Sequence, residues 1–296
     1  MNKRTVSRLL IITLIIGTML PTGVLAYNTI IASAGSSVSP ATATQTVNTS
    51  QEIVALPEQD VDISNIVLSQ TVIDAIQTQD AQNVDKHMNN YKHLLAKYHI
   101  AETYQNKLDE LIISGRKVSD VLISYEYLYY QYGTMSEMLD LLDKRKQGKV
   151  WTDIFTEFKN GIEPYTQKNF EQSKIEELMN TPNLTPDDIM IADRLSQMNL
   201  VSFDSVIEKL STGTSWESIN LGLNILNTSN ELPHVAITRI QVRNYMKSTG
   251  LTEVQVISAF ILSQKYELNA DQIMTKVKAG AKEESIVAQL LQEKYN

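Results

Sequence analysis

The sequence has no cysteine among its 296 residues, only two tryptophans, four histidines and seven prolines. Without cysteine there is no disulfide, no thiol nucleophile and no thiolate metal site. Exported domains commonly rely on disulfides, so an exported chain of this composition must be held by its core alone. Positive charge is short as well: 26 Lys and Arg stand against 34 Asp and Glu, a formal net charge of −8. That balance argues against nucleic acid and anionic membrane surfaces as partners. Also missing are a nucleotide-binding glycine loop, a G-x-S-x-G elbow, a dinucleotide fingerprint and an H-E-x-x-H pair.

What the chain does have begins with an export pattern. Lys3, Arg4 and Arg8 precede the apolar run LLIITLIIGTML at 9–20, Pro21 and Gly23 break it, and Val24-Leu25-Ala26 offers a small-residue cleavage site. Twelve apolar residues are too few for a bilayer span, which needs about 20. The expectation is therefore a signal peptide over 1–26, the alternative being an anchor that is never cut. Loss of those three positive charges moves the formal balance to −11. No later segment is apolar enough to span a membrane. Residues 27–64 are rich in Ser, Thr, Ala and Pro with few charges and no apolar period, which predicts a flexible tether. Export without cysteine in a chain rich in Ile, Asn, Gln and Lys points to a bacterial source.

From residue 65 onward the apolar period is helical. Phe203, Val206, Ile207 and Leu210 fall at i, i+3, i+4, i+7, as do Trp151, Ile154, Phe155 and Phe158. No segment alternates as a strand does. Prolines sit at inferred boundaries, and Thr185-Pro186 suits a capping residue followed by proline in the first turn. All glycines of this region but Gly222 also read as breaks.

The pattern repeats. Val118-Ser119, Leu184-Thr185 and Leu251-Thr252 each pair an apolar residue with a hydroxyl cap, and Gln131, Gln197 and Gln264 follow twelve residues after each cap. Gly148, Gly213 and Gly280 come next, each with an isoleucine six residues on: Ile154, Ile219 and Ile286. Trp151 and Trp216 stand three residues after the first two glycines; Glu283 takes that place in the third copy. Gly115 and Val121 read as the tail of a degenerate earlier copy. The expected architecture is all-α, an array of short helices in repeats of about 66 residues with four helices each, either solenoid-like or an irregular bundle. Repeats fall at about 118–183, 184–250 and 251–296 within a helical domain 65–296, with helices in the second at about 185–199, 203–212, 215–226 and 235–247. The tryptophans then read as packing wedges beside glycine helix caps, not as a duplicated active site.

Candidate chemistry is thin. His87, His93 and His99 are spaced by six residues, which turns a helix by about 240° and points neighbours apart, so no metal site is expected. His234 stands alone. Asp60-Val61-Asp62-Ile63-Ser64 starts like a calcium loop, but Asn65 replaces the turn glycine and Thr71 the closing glutamate. Ser114-Gly115-Arg116-Lys117 matches S-x-x-K by letters only. Glu217-Ser218 resembles the catalytic Glu-Ser pair of bacterial lytic transglycosylases, all-α enzymes in which the glutamate is a general acid and base. Glu284-Ser285 repeats the pair, yet Thr152-Asp153 stands in the first copy and no Gly-Leu-Met-Gln signature follows. The stretch SYEYLYYQY at 124–132 places Tyr125, Tyr129 and Tyr132 with Val121 and Leu128 on one core face. Tyr127 and Tyr130 point the other way, as contact residues for a sugar or peptide or as packing under a neighbouring helix.

The expectation is a non-enzymatic, cofactor-free and metal-free binding or scaffolding module, secreted or in the bacterial cell envelope. Its partner is a protein or a cell-wall polymer. The alternative is a cell-wall glycan-cleaving enzyme using Glu217.

Overall fold

The computed structural model describes residues 61–166, 168–233, 235 and 237–296. The expected leader, the linker up to residue 60, Asp60 and His234 lie outside the described residues. Those described form fourteen helices and no strand, an all-α fold. None of the helices is long and apolar enough to cross a membrane.

The helices are α1 (Gln70–Gln79), α2 (Val84–Lys97), α3 (Glu102–Ile113), α4 (Val118–Gln131), α5 (Met135–Lys146), α6 (Trp151–Gly161) and α7 (Gln172–Asn180). They continue with α8 (Pro186–Gln197), α9 (Phe203–Ser211), α10 (Trp216–Gly222), α11 (Arg239–Thr249), α12 (Glu253–Tyr266), α13 (Ala270–Lys278) and α14 (Glu283–Tyr295). Local chemistry sets many of the boundaries. Thr185 caps α8 with a reciprocal capping box to Asp188, with Pro186 in the first turn, and Thr134, Thr238 and Thr252 build the same box on α5, α11 and α12.

Four helix ends close alike. At Gly115, Gly148, Gly213 and Gly280 the backbone turns left-handed, with φ of 90, 90, 90 and 84°. Each glycine N–H donates to the carbonyl three residues back, and the next N–H to the carbonyl five residues back. A side chain at such φ would clash with its own backbone, which is why glycine recurs there.

Ser119 does not cap a helix. Lys117 is the N-cap of α4, and Ser119 lies in its first turn, so the register expected from the hydroxyl caps is two residues off in this copy. Gly222, expected inside a helix, is the last residue of α10. The chain leaves the helix there because residues 224–226 pair with the turn after α4. Leu226 N–H donates to the Gly133 carbonyl at 2.9 Å, and Met135 N–H to the Asn224 carbonyl at 3.0 Å.

Two hydrophobic cores result. The larger runs from Leu68 to Tyr295 and draws on α1–α6 and α11–α14; the smaller belongs to α7–α10 and takes in Tyr132 and Ile225. The last helix returns to the first half: α14 packs on α4 and α6, so the array is closed on itself. At the centre lies α4, contacted by α2, α3, α5 and α14 and buried at nearly every position.

Candidate functional site

The five tyrosines of α4 and its C-cap show what closure does. Tyr125 and Tyr129 pack inward as expected. Tyr127 is also buried: its ring stacks on Phe155 with centroids 3.7 Å apart, and its hydroxyl donates to the Phe155 carbonyl at 3.3 Å. Tyr130 is half-buried, edge-on to Tyr266 and Tyr129. The face of α4 read as open to a ligand is covered by α6 and α12. Tyr127 therefore presents no surface for contact, and Tyr130 little.

The tryptophans begin helices, Trp151 in α6 and Trp216 in α10. Each indole N–H donates to the third residue of an earlier helix. Trp151 reaches Asp120 of α4 at 3.2 Å, and Trp216 reaches Asp188 of α8. Asp188 is buried and Asp120 half-buried, and carboxylates so withdrawn from water need donors, which the indoles provide. Ile154, Ile219 and Ile286 follow on the buried faces of α6, α10 and α14. Glu283, which begins α14 without a tryptophan, instead faces Lys159 of α6 at 3.5 Å; Glu284 is also paired with Lys159.

The two tryptophan sites differ on their open side. At Trp151 the guanidinium of Arg145 lies 5.9 Å from the ring, donates to Asp120 Oδ1 at 3.1 Å and to the Lys149 carbonyl at 3.0 Å, and so fills the corner. At Trp216 the corresponding corner is a cleft of about 440 Å³, lined by Asp188, Leu210, Thr214, Trp216, Glu217 and Asn230 among others. Glu217 is exposed there, in the first turn of α10, where the helix dipole suits an acid. Asp188 is only 6% exposed, and its Oδ2 accepts both the Thr185 N–H and hydroxyl, each at 2.7 Å.

A second constellation escaped the sequence reading. Glu126 of α4 has no exposed surface. It accepts from Lys97 at 3.2 Å, from Lys294 at 3.0 and 3.2 Å, from the Tyr98 hydroxyl at 2.7 Å and from the Tyr295 hydroxyl. Burial opposes its ionisation, but Lys294 and Lys97, with the two hydroxyls, outweigh it and hold the carboxyl down at about 2. Lys97 also reaches Glu267 at 2.8 Å. This network ties the last turn of α14 to α2 and α4. Its residues lie too far apart in sequence to form a motif. Lys265 of α12 is the opposite case: it makes no hydrogen bond or ion pair among the described residues. Burial pulls its ammonium down to about 8, with Glu283 opposing and Arg194 and Lys159 adding to the fall.

The remaining expected positions hold no chemistry together. His87 is buried with Nε2 3.2 Å from Asp80, while His99 is exposed at a left-handed turn. Asp62 accepts from the Ser64 N–H at 2.9 Å, and the Ser114 hydroxyl donates to the Leu111 carbonyl at 2.8 Å. Among the described residues no group of three His, Asp or Glu is placed to hold a metal. Compared with protein-family models, curated proteins and solved structures, the chain matches none.

Proposed function

We propose that this chain is an exported, non-catalytic helical repeat protein that acts as a binding or scaffolding module in the bacterial cell envelope or outside the cell. Its layout is a leader over 1–26, a tether over 27–64 and a repeat domain over 65–296. Its partner is a protein or a cell-wall polymer. The observation that carries this reading is the use to which reactive-looking side chains are put. Trp151, Trp216, Asp120, Asp188, Lys159 and Glu284 each join one helix to another. The recurrent glycine turn beside the tryptophan–aspartate pair supports repetition of one structural unit.

Co-sedimentation of the purified chain with cell-wall sacculi, and capture of exported proteins on the immobilised chain, tests the proposal. Binding in either arm is expected; failure in both would overturn it. One observation favours the enzyme alternative, the position of Glu217 on a cleft. Against it, Glu217 is exposed rather than desolvated, and the neighbouring Asp188 already accepts three hydrogen bonds. A glutamate that works as general acid is set in a desolvated cleft, whereas Glu217 stands in solvent in the first turn of α10.

A further inference from the structure

The two tryptophan corners share a glycine turn and a tryptophan–aspartate contact but differ in contents. Arg145 is the second-to-last residue of α5, three before Gly148; Leu210 is the second-to-last residue of α9, three before Gly213. The glycine turns close with the same hydrogen bonds, and the aspartates Asp120 and Asp188 hold the same third position of their helices. In the first corner the Arg145 guanidinium meets three acceptors: the carboxylate oxygen that also serves the indole, the carbonyl after the glycine, and the face of the ring. In the second corner those acceptors persist without the cation. Among the described residues Asp188 Oδ1 accepts only the Trp216 indole, which leaves one of the four acceptor positions of a buried carboxylate unused by them. The Thr214 carbonyl, which replaces that of Lys149, accepts no hydrogen bond among the described residues. Leu210 has no donor to offer either, and it lines the cleft together with Asp188, Thr214 and Trp216. Glu217 at the rim stands where the first corner has Thr152, adding a second negative charge.

We propose that the cleft over Trp216 binds the guanidinium of an arginine side chain presented by a partner protein, in the place that Arg145 fills from within in the first unit. The inference rests on the repeat and binding-module reading given above. A planar guanidinium can satisfy the carboxylate and the carbonyl together while lying near the indole, as a single point charge cannot. An acidic chain would also draw such a partner toward it.

The test uses the full chain and three probes: Nα-acetyl-arginine amide, its neutral isostere Nα-acetyl-citrulline amide, and N-acetylglucosamine. The indole N–H resonance of Trp216, assigned by its loss in Trp216→Phe, is followed by NMR. The arginine probe should shift it saturably, with a Kd of about 1–10 mM for so small a ligand, while the other two leave it in place. Leu210→Arg should supply the guanidinium from within and weaken the probe by about tenfold, a difference near 1.4 kcal/mol. If that variant does not fold, Glu217→Gln, altered only at an exposed position, should weaken the probe about two- to fivefold, as loss of one exposed charge pair does. Equal response to citrulline, undiminished binding in both variants, or no response to arginine overturns the guanidinium site. A response to N-acetylglucosamine instead overturns it in favour of a glycan cleft. None of these results touches the binding-module reading, which stands or falls on sedimentation and capture.

Discussion

The indole of Trp151 and the carboxylate of Asp120 meet at 3.2 Å across the buried junction of α6 and α4, and Trp216 and Asp188 repeat the contact between α10 and α8. A tryptophan at the first position of a helix thus pins that helix to the start of another. In Trp216→Phe the ring's bulk is largely kept, but Asp188 Oδ1 loses the one donor it has among the described residues. A buried acceptor without a partner costs about 1–3 kcal/mol. In Trp151→Phe the cost should be smaller, because Arg145 still serves Asp120. Urea unfolding of the two variants checks the order.

The Glu126 network predicts an acid limb. Its folded carboxyl lies near 2, below the ordinary 4.5. The linked stability is complete above pH 4.5 and lost as pH falls from there to about 2, amounting to about 3 kcal/mol. Glu126→Gln should cost about 3 kcal/mol at neutral pH, since it leaves Lys97 and Lys294 to share Glu267 as their remaining carboxylate. The variant should also flatten the unfolding midpoint between pH 4.5 and 2. Thermal unfolding across that range reads both effects.

Lys265 predicts the opposite sign. Its ammonium is held near 8, below the ordinary 10.5, so burial penalises the charged form. As pH falls from 10.5 to 8 the unfolded chain takes up the proton first, and stability drops by about 3 kcal/mol, then stays level below 8. Lys265→Met should remove that loss and raise the midpoint of thermal unfolding at pH 7 while leaving it little changed at pH 11.

Gly148 and Gly213 have φ of 90° with open space where a Cβ would stand. Gly148→Ala and Gly213→Ala should each cost about 1–2 kcal/mol, from backbone conformation alone. A much larger loss in chemical denaturation would mean that packing, not the left-handed turn, selects these glycines.

Tyr127→Phe tests whether the ring belongs to the core. It keeps the stack on Phe155 and loses one hydrogen bond to a carbonyl, so it should cost about 1 kcal/mol and leave partner capture unchanged. A fall in capture without a fall in stability would return Tyr127 to a contact role.

Much of the local structure could be read from the residues. Thr185-Pro186 marks the start of α8, and the glycines mark the turns. These signals act over one or two helical turns, where cap chemistry and backbone conformation decide the outcome. What lay beyond reach was set by distant chain. The stripe on α4 shows two faces, but not that α6 and α12 cover the second. Glu126 looks like a surface acid until Lys294 and Tyr295 arrive from the far end. Aligning the copies on their hydroxyl caps hid the relation between Asp120 and Asp188. Aligning them on the third residue of each helix would have exposed it, but the two aspartates stand 31 and 28 residues before their tryptophans, so no fixed spacing marks them in the sequence.

The most direct test of the non-catalytic reading is release of soluble glycan fragments from purified sacculi, with the wild-type chain beside Glu217→Gln. The account predicts no release above buffer from either protein. Fragments released by the wild type and lost in Glu217→Gln would contradict it and make the cleft at Trp216 an active site.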